Sequence, residues 1–106
     1  MKKHLFKQIS IIGLGLIGSS LALSIKKNKL AGKTLGYAKS SNTRKKAKKL
    51  RLVDVVSDSL SKCVKDSDLI LICTPLSTYS KIIKSIRIHV KKGVIISDVG
   101  SAKEKS

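Results

Sequence analysis

The chain has 106 residues and carries 23 basic against 6 acidic side chains, a formal net charge of +17. This length suits one domain and is short for an enzyme with separate cofactor and substrate lobes. Only three aromatic residues occur, Phe6, Tyr37 and Tyr79, so the core must be aliphatic, as in a parallel sheet covered by helices.

The basic residues are 20 Lys and 3 Arg, spread along the chain apart from a cluster at 44–51. Base readout favours the planar guanidinium group of arginine, and no aromatic platform interleaves the lysines for stacking. No segment after the first predicted helix approaches the roughly 18 apolar residues of a membrane span. We therefore expect a solvated basic surface, no specific nucleic-acid partner and no membrane partner.

The first predicted unit is a strand at 9–12, a glycine-rich turn and an amphipathic helix. Gly13, Gly15 and Gly18 have the G-x-G-x-x-G spacing of a dinucleotide site, in which the glycines allow a tight turn, close approach of a pyrophosphate and close helix packing. The residues predicted on the apolar face of the helix are Leu16, Ile17, Leu21, Ala22 and Ile25. Lysines before an apolar run also resemble a secretory signal peptide, but the glycine spacing and the elements that follow favour the nucleotide site.

The rest of the chain continues to alternate strands with helices. Strands are predicted at 34–37, 53–56, 69–73 and 94–97, and helices at 43–50, 59–64 and 77–90. The apolar run 69–73 is typical of a strand buried on both faces, and Pro75 ends it. This alternation predicts the α/β class: a Rossmann-type doubly wound parallel sheet of five strands in the order 3-2-1-4-5.

In such a sheet, ligands bind at the carboxyl ends of the strands, where the strand order reverses. An NAD-binding fold usually ends its second strand with an acidic residue for the ribose 2′-OH. Here Ala38 holds that place, followed by Lys39, Ser40, Ser41 and Arg44. These groups suit a 2′-phosphate, so we expect NADP in preference to NAD. The alternative is that Lys39 and Arg44 merely belong to the general lysine excess.

The remaining reactive side chains do not form a site by spacing. Cys63 and Cys73 lack partners at metal-ligand spacing, so we expect free thiols, no metal and a cytoplasmic location. His4 and His89 are isolated from one another and from the cysteines.

Three motifs, GLGLIGSSLALSI at the start, DLILICTP in the middle and SDVGSAK at 97–103, together resemble the prephenate and arogenate dehydrogenases of tyrosine biosynthesis. The resemblance spans nearly the whole chain and implies NAD(P)-dependent oxidative decarboxylation of prephenate or arogenate by a homodimer. It implies Ser101 as the catalytic residue, orienting the catalytic imidazole and the reacting hydroxyl, with Lys103 a weaker candidate. The cofactor-binding residues are predicted to be Gly13, Leu14, Gly15, Leu16, Ile17, Gly18, Ser19, Ala38, Lys39, Ser40, Arg44, Thr74, Pro75 and Asp98.

The resemblance also implies parts that these residues lack. In that family the general-base histidine lies in a later Gly-His-Pro segment, and a helical dimerisation domain holds the substrate carboxylates. We therefore expect residues 1–106 to form an incomplete NAD(P)-binding domain, inactive alone, and weakly stable or self-associating because apolar surface and a strand edge lack their cover.

Three other interpretations remain open. One is the front half of another reductase, such as a pyrroline-5-carboxylate reductase or a β-hydroxyacid dehydrogenase. Another is a non-catalytic nucleotide-binding module that controls a partner. The third is a basic nucleic-acid-binding domain, which predicts steeply salt-dependent binding without competition from NADP.

Overall fold

Five aliphatic segments form one parallel sheet in the computed structural model, which describes residues 5–98 apart from the side chain of residue 76. The elements in chain order are β1 (Phe6–Ile12), α1 (Leu16–Lys27), β2 (Ala31–Tyr37), α2 (Ser41–Leu50), β3 (Val55–Ser57), α3 (Leu60–Val64), β4 (Leu69–Ile72), α4 (Leu76–Ile86) and β5 (Ile95–Asp98). The sheet order is β3-β2-β1-β4-β5. The predicted fold class and strand order are therefore confirmed.

The central strands β1 and β4 are buried on both faces, because helices cover each side of the sheet. On one side Ile9 and Ile11 pack with Ala22 of α1 and Ala47 of α2. The core residues on the other side are Ile12, Val64, Ile70, Ile72 and Ile86. This arrangement explains why residues 9–12 of β1, apart from the buried Ser10, and all of β4 are apolar rather than alternating.

The predicted apolar face of the first helix is wrong at one position. Leu16 is 93% exposed, whereas Gly18, Ala22 and Ile25 form the buried stripe of α1. Gly18 and Ala22 are small, so the helix lies close against β1, and a leucine in the first turn has no space beneath the helix.

Several predicted boundaries also differ from the structure, two of them at residues that pack in the core. Val53 is buried but precedes β3, which begins at Val55. Helix α4 ends at Ile86 rather than Val90, because the His89 N–H donates to the Ile86 carbonyl in a tight turn. Val90 still packs against the core from beyond the helix, so its helical spacing indicates burial and not helix.

The amino ends of three strands are joined through one carboxylate. Asp68, just before β4, accepts hydrogen bonds from the backbone N–H groups of Lys7 (2.7 Å) and Gln8 (3.2 Å) in β1. Its other oxygen pairs with the Lys91 ammonium group, which precedes β5. The Lys91 hydrogen bond, aided by the two backbone donors and the lysine charge, holds the pKa of Asp68 below its usual range.

Candidate functional site

The turn between β1 and α1 is built so tightly that two of its glycines exclude any side chain. Gly13 has φ +95°, and a Cβ there would lie 2.9 Å from the Thr74 side chain. A Cβ at Gly18 would lie 1.9 Å from the Gly13 carbonyl oxygen. The first and third glycines thus let the chain turn sharply and let α1 approach the end of β1, as the spacing predicts.

Gly15 differs from both, because a Cβ placed on it would meet no atom within 4 Å. The outer side of this residue faces open space at the N-terminus of α1. The first helical hydrogen bond runs from the Ser19 N–H to the Gly15 carbonyl (2.8 Å), so the N–H groups of residues 16–18 lack partners within the helix. Open space before unpaired donors at a helix N-terminus fits a pyrophosphate.

Leu14, next to Gly15, packs into the core. Its side chain is 4% exposed, and a Cβ on Gly36 of β2 would come within 2.8 Å of its methyl group. The absence of a side chain at Gly36 therefore lets the Leu14 side chain pack directly against β2, and this contact fixes the glycine turn on the core. The sequence analysis missed Gly36, although a glycine inside a predicted strand is a signal of close approach.

The end of β2 lies directly beside the glycine turn, since the Gly13 N–H donates to the Tyr37 carbonyl at 2.8 Å. Ala38 is buried, and Lys39 and Ser40 are exposed. The Arg44 guanidinium group donates from one nitrogen to the carbonyls of Ala38 (2.7 Å) and Lys39 (2.9 Å). Arg44 thereby holds the predicted ribose loop in shape, a contact that spacing alone does not reveal.

The end of β4 meets the glycine turn from the other side. The Cys73 N–H donates to the Ile12 carbonyl at 2.8 Å, and the Thr74 hydroxyl accepts from Thr78 at 3.0 Å. Pro75 then leads into α4. The structure thus brings Thr74 and Pro75 to the same edge as Gly13, next to the predicted nicotinamide side.

A half-buried thiol lies behind this edge. Burial, and secondarily the charge of Asp98, raise the pKa of Cys73 to about 11. Asp98 ends β5, in register with Ile72 of β4. A thiol held in its neutral form is a poor nucleophile, so Cys73 lines the site without offering covalent chemistry.

The predicted catalytic Ser101, together with Lys103, lies outside the described residues. Within residues 5–98, no three metal-ligating side chains come together. No helix in that part of the chain has both the length and the apolar character needed to cross a bilayer. The candidate site is the edge of the sheet formed by the ends of β1, β2 and β4.

Residues 21–106 match the family described as "Prephenate dehydrogenase, nucleotide-binding domain". Over 98 residues the chain is 41% identical to the cyclohexadienyl dehydrogenase of Zymomonas mobilis, covering 92% of this chain and 33% of that enzyme.

Solved structures of similar enzymes share the fold. The arogenate dehydrogenase of Synechocystis superposes with a TM-score of 0.80 at 29% identity, covering 87% of this chain and 32% of that one. The prephenate dehydrogenase of A. aeolicus, solved with hydroxyphenyl propionate and NAD+, gives 0.79 at 22% identity, covering 92% of this chain and 34% of that one. The chain thus spans about a third of the length of the relatives it matches.

Proposed function

The chain belongs to the prephenate dehydrogenase family through that family's nucleotide-binding domain, and we propose that it forms the NAD(P) site of a prephenate or arogenate dehydrogenase. The open face of Gly15 before the N-terminus of α1 carries this proposal. Membership of this family sets aside the interpretation as the front half of another reductase.

The proposed reaction is an oxidative decarboxylation driven by aromatisation. Hydride leaves the ring carbon that bears the hydroxyl group, carboxylate departs as CO2, and prephenate becomes 4-hydroxyphenylpyruvate while arogenate becomes tyrosine. Bound NAD(P)+ supplies the hydride acceptor. The residues of this chain hold and orient it: Gly13 to Ser19 at the pyrophosphate, and Thr74 and Pro75 towards the nicotinamide.

Ser101 completes the proposed site as the residue between nicotinamide and substrate. Its hydroxyl orients the reacting ring hydroxyl and the general-base imidazole, which the family resemblance assigns to a histidine in a Gly-His-Pro segment. We place the enzyme in the cytoplasm as a homodimer, with prephenate or arogenate as its small-molecule substrate.

We further propose that the site prefers NADP to NAD. The loop after β2 presents an exposed ammonium group at Lys39 and no carboxylate that would repel a 2′-phosphate. Arg44, bonded to the carbonyls of Ala38 and Lys39, keeps this loop in place and adds its positive charge. An ammonium beside a phosphate forms a charge-assisted hydrogen bond, stronger than a neutral one.

Titration calorimetry with both cofactors in about 0.15 M salt, where charges beyond about 8 Å are largely screened, tests this preference. We expect NADP+ to bind more tightly than NAD+. Lys39→Glu should weaken NADP+ binding about tenfold, or about 1.4 kcal/mol, and leave NAD+ binding nearly unchanged. Lys49→Glu, on the exposed surface of α2, is the matched charge control. Tighter binding of NAD+ by the unaltered chain would contradict the preference and leave the nucleotide site itself intact.

A further inference from the structure

The outer edge of β3 is an open sheet edge. Among the described strands, β3 pairs with β2 alone. The N–H of Asp54, just before β3, donates to the Thr34 carbonyl of β2 at 3.1 Å. The Tyr37 carbonyl accepts the Gly13 N–H, so Leu35 and Tyr37 of β2 turn their backbone groups towards β1, whereas Thr34 and Gly36 turn theirs towards β3. Because Leu35 is in register with Val55 and successive residues of a strand alternate between the two edges, Val55 and Ser57 pair with β2, and Val56 directs its N–H and C=O groups away from the sheet.

Two adjoining grooves of about 550 and 540 Å³ follow this edge. Both are lined by Val55, Val56 and Lys48; one extends towards Ser57 at the carboxyl end of β3, the other towards Val53 at its amino end. We call them together the edge groove. The edge groove is larger than the 390 Å³ groove beside Gly15 and lies outside the proposed nucleotide site, apart from Ser41 and Arg44.

The edge groove is strongly cationic. Its basic residues are Lys26, Arg44, Lys45, Lys48, Arg51 and Lys62, against two acidic residues, Asp54 and Asp58. One acid is already engaged, since the Asp54 carboxylate accepts the Thr34 N–H at 2.8 Å. The one ion pair found within residues 5–98 lies elsewhere, so the ammonium groups of Lys45, Lys48 and Lys62 face the groove without an acidic partner.

We propose that the edge groove binds an acidic, extended peptide segment of a partner protein, which adds to β3 as a further strand. The open N–H and C=O groups of Val56 pair with its backbone, as in other cases of strand addition. Its carboxylates face Lys45, Lys48 and Lys62, and its apolar side chains cover Val55 and Val56.

Charge and chemistry select this partner over two others. A second copy of the chain carries +17 and would bring like charges together, and lysines along an edge oppose such pairing. A nucleic acid lacks the alternating N–H and C=O groups with which a peptide pairs along a strand edge. The groove also contains no aromatic side chain for base stacking.

The test uses the 106-residue chain, labelled with 15N, and a synthetic seven-residue peptide of alternating Val and Glu. We expect saturable binding with the largest amide shifts along β3, and slower hydrogen exchange at the amide of Val56. The affinity should fall at least about tenfold for the double variant Lys45→Glu/Lys48→Glu, equal to about 1.4 kcal/mol. Lys81→Glu/Lys84→Glu on α4, with the same change in charge, should bind as the unaltered chain does.

Two further probes separate strand addition from simple charge attraction. Peptides N-methylated at alternate residues keep every carboxylate and lose half of their backbone donors, so the version methylated on the paired side should bind at least about tenfold more weakly. Equal binding by both methylated peptides, or by a Glu/Val peptide of scrambled order, would overturn the proposal. So would a short RNA that binds the groove more tightly than the peptide, since that result would assign a polyanion site.

Discussion

At the scale of single residues, each of the three motif glycines occupies its position for a different physical reason. Gly13 is required by its positive φ and the close approach of Thr74, and Gly18 by contact with the Gly13 carbonyl. Gly15 has ordinary dihedral angles, φ −78° and ψ −155°, and free space around it. The fold therefore needs the first and third glycines, whereas no contact within the fold requires the second, for which we propose a role in ligand binding.

Substituting Gly15 and Gly18 by alanine separates folding from binding. Gly18→Ala forces a methyl against a backbone oxygen, so we expect a loss of about 3 kcal/mol in the free energy of unfolding and a fall in Tm of more than about 10 °C. Gly15→Ala should stay within about 1 kcal/mol, since it only changes a helix cap, and weaken NADP+ binding at least about tenfold.

Thermal melts and calorimetry on the two variants provide the check. A Gly15→Ala protein that keeps full cofactor affinity would show that the ligand does not approach this residue. A Gly18→Ala protein as stable as the parent would show that α1 is not packed as closely on β1 as the structure indicates.

At the scale of elements, the Asp68 carboxylate links β1, β4 and the turn before β5. The pKa of Asp68 is lowered in the folded chain, chiefly by the Lys91 hydrogen bond, from an ordinary value of 3.8. A lowered carboxyl pKa contributes stability that is fully present above the unfolded value and is lost as the pH falls through the folded one.

The variant Asp68→Asn tests this link. We expect its Tm to lie below that of the parent at pH 6 to 7, and the difference to shrink as the pH falls below about 4. Asp66→Asn is the matched control, because Asp66 is exposed, forms no ion pair within residues 5–98 and has φ +63°, which asparagine tolerates. A Tm difference for Asp68→Asn that is constant from pH 7 to pH 3 would contradict the link.

The elements also show how far sequence reasoning extends. Strand order followed from the alternation of apolar runs and helices, because right-handed crossovers leave few topologies. Element boundaries were predicted less accurately, because Val53 is buried and Val90 partly buried outside the elements that their spacing predicted. The periodicity of apolar residues indicates which residues are buried. Because buried residues also occur in the loops next to an element, this periodicity does not define where the element ends.

At the scale of the site, residue spacing predicted that the glycines, Ala38 and Thr74 lie on one edge of the sheet. The hydrogen bonds that the Gly13 and Cys73 N–H groups donate agree with this prediction. It did not predict that Arg44 bonds two loop carbonyls or that Gly36 admits Leu14. Both depend on side-chain directions that only the folded chain defines.

At the scale of the whole molecule, the proposed anion-binding groups lie at the carboxyl edge of the sheet and the Asp68 link lies near its amino edge. The charge of +17 surrounds both, so attraction of anions alone does not demonstrate a nucleotide site. Large apolar side chains also reach solvent, with Leu5 73%, Leu16 93% and Ile88 81% exposed. The expected weak stability or self-association therefore stays a prediction.

The most direct test of the central claim is an amide-shift titration of the 15N-labelled chain with NADP+ in about 0.15 M salt. The account predicts saturable binding, with the largest shifts at Gly13, Gly15 and Gly18 and at the loops after β2 and β4. Absence of saturation, or shifts spread along the lysines of α2 and α4 that disappear as salt is added, would contradict it.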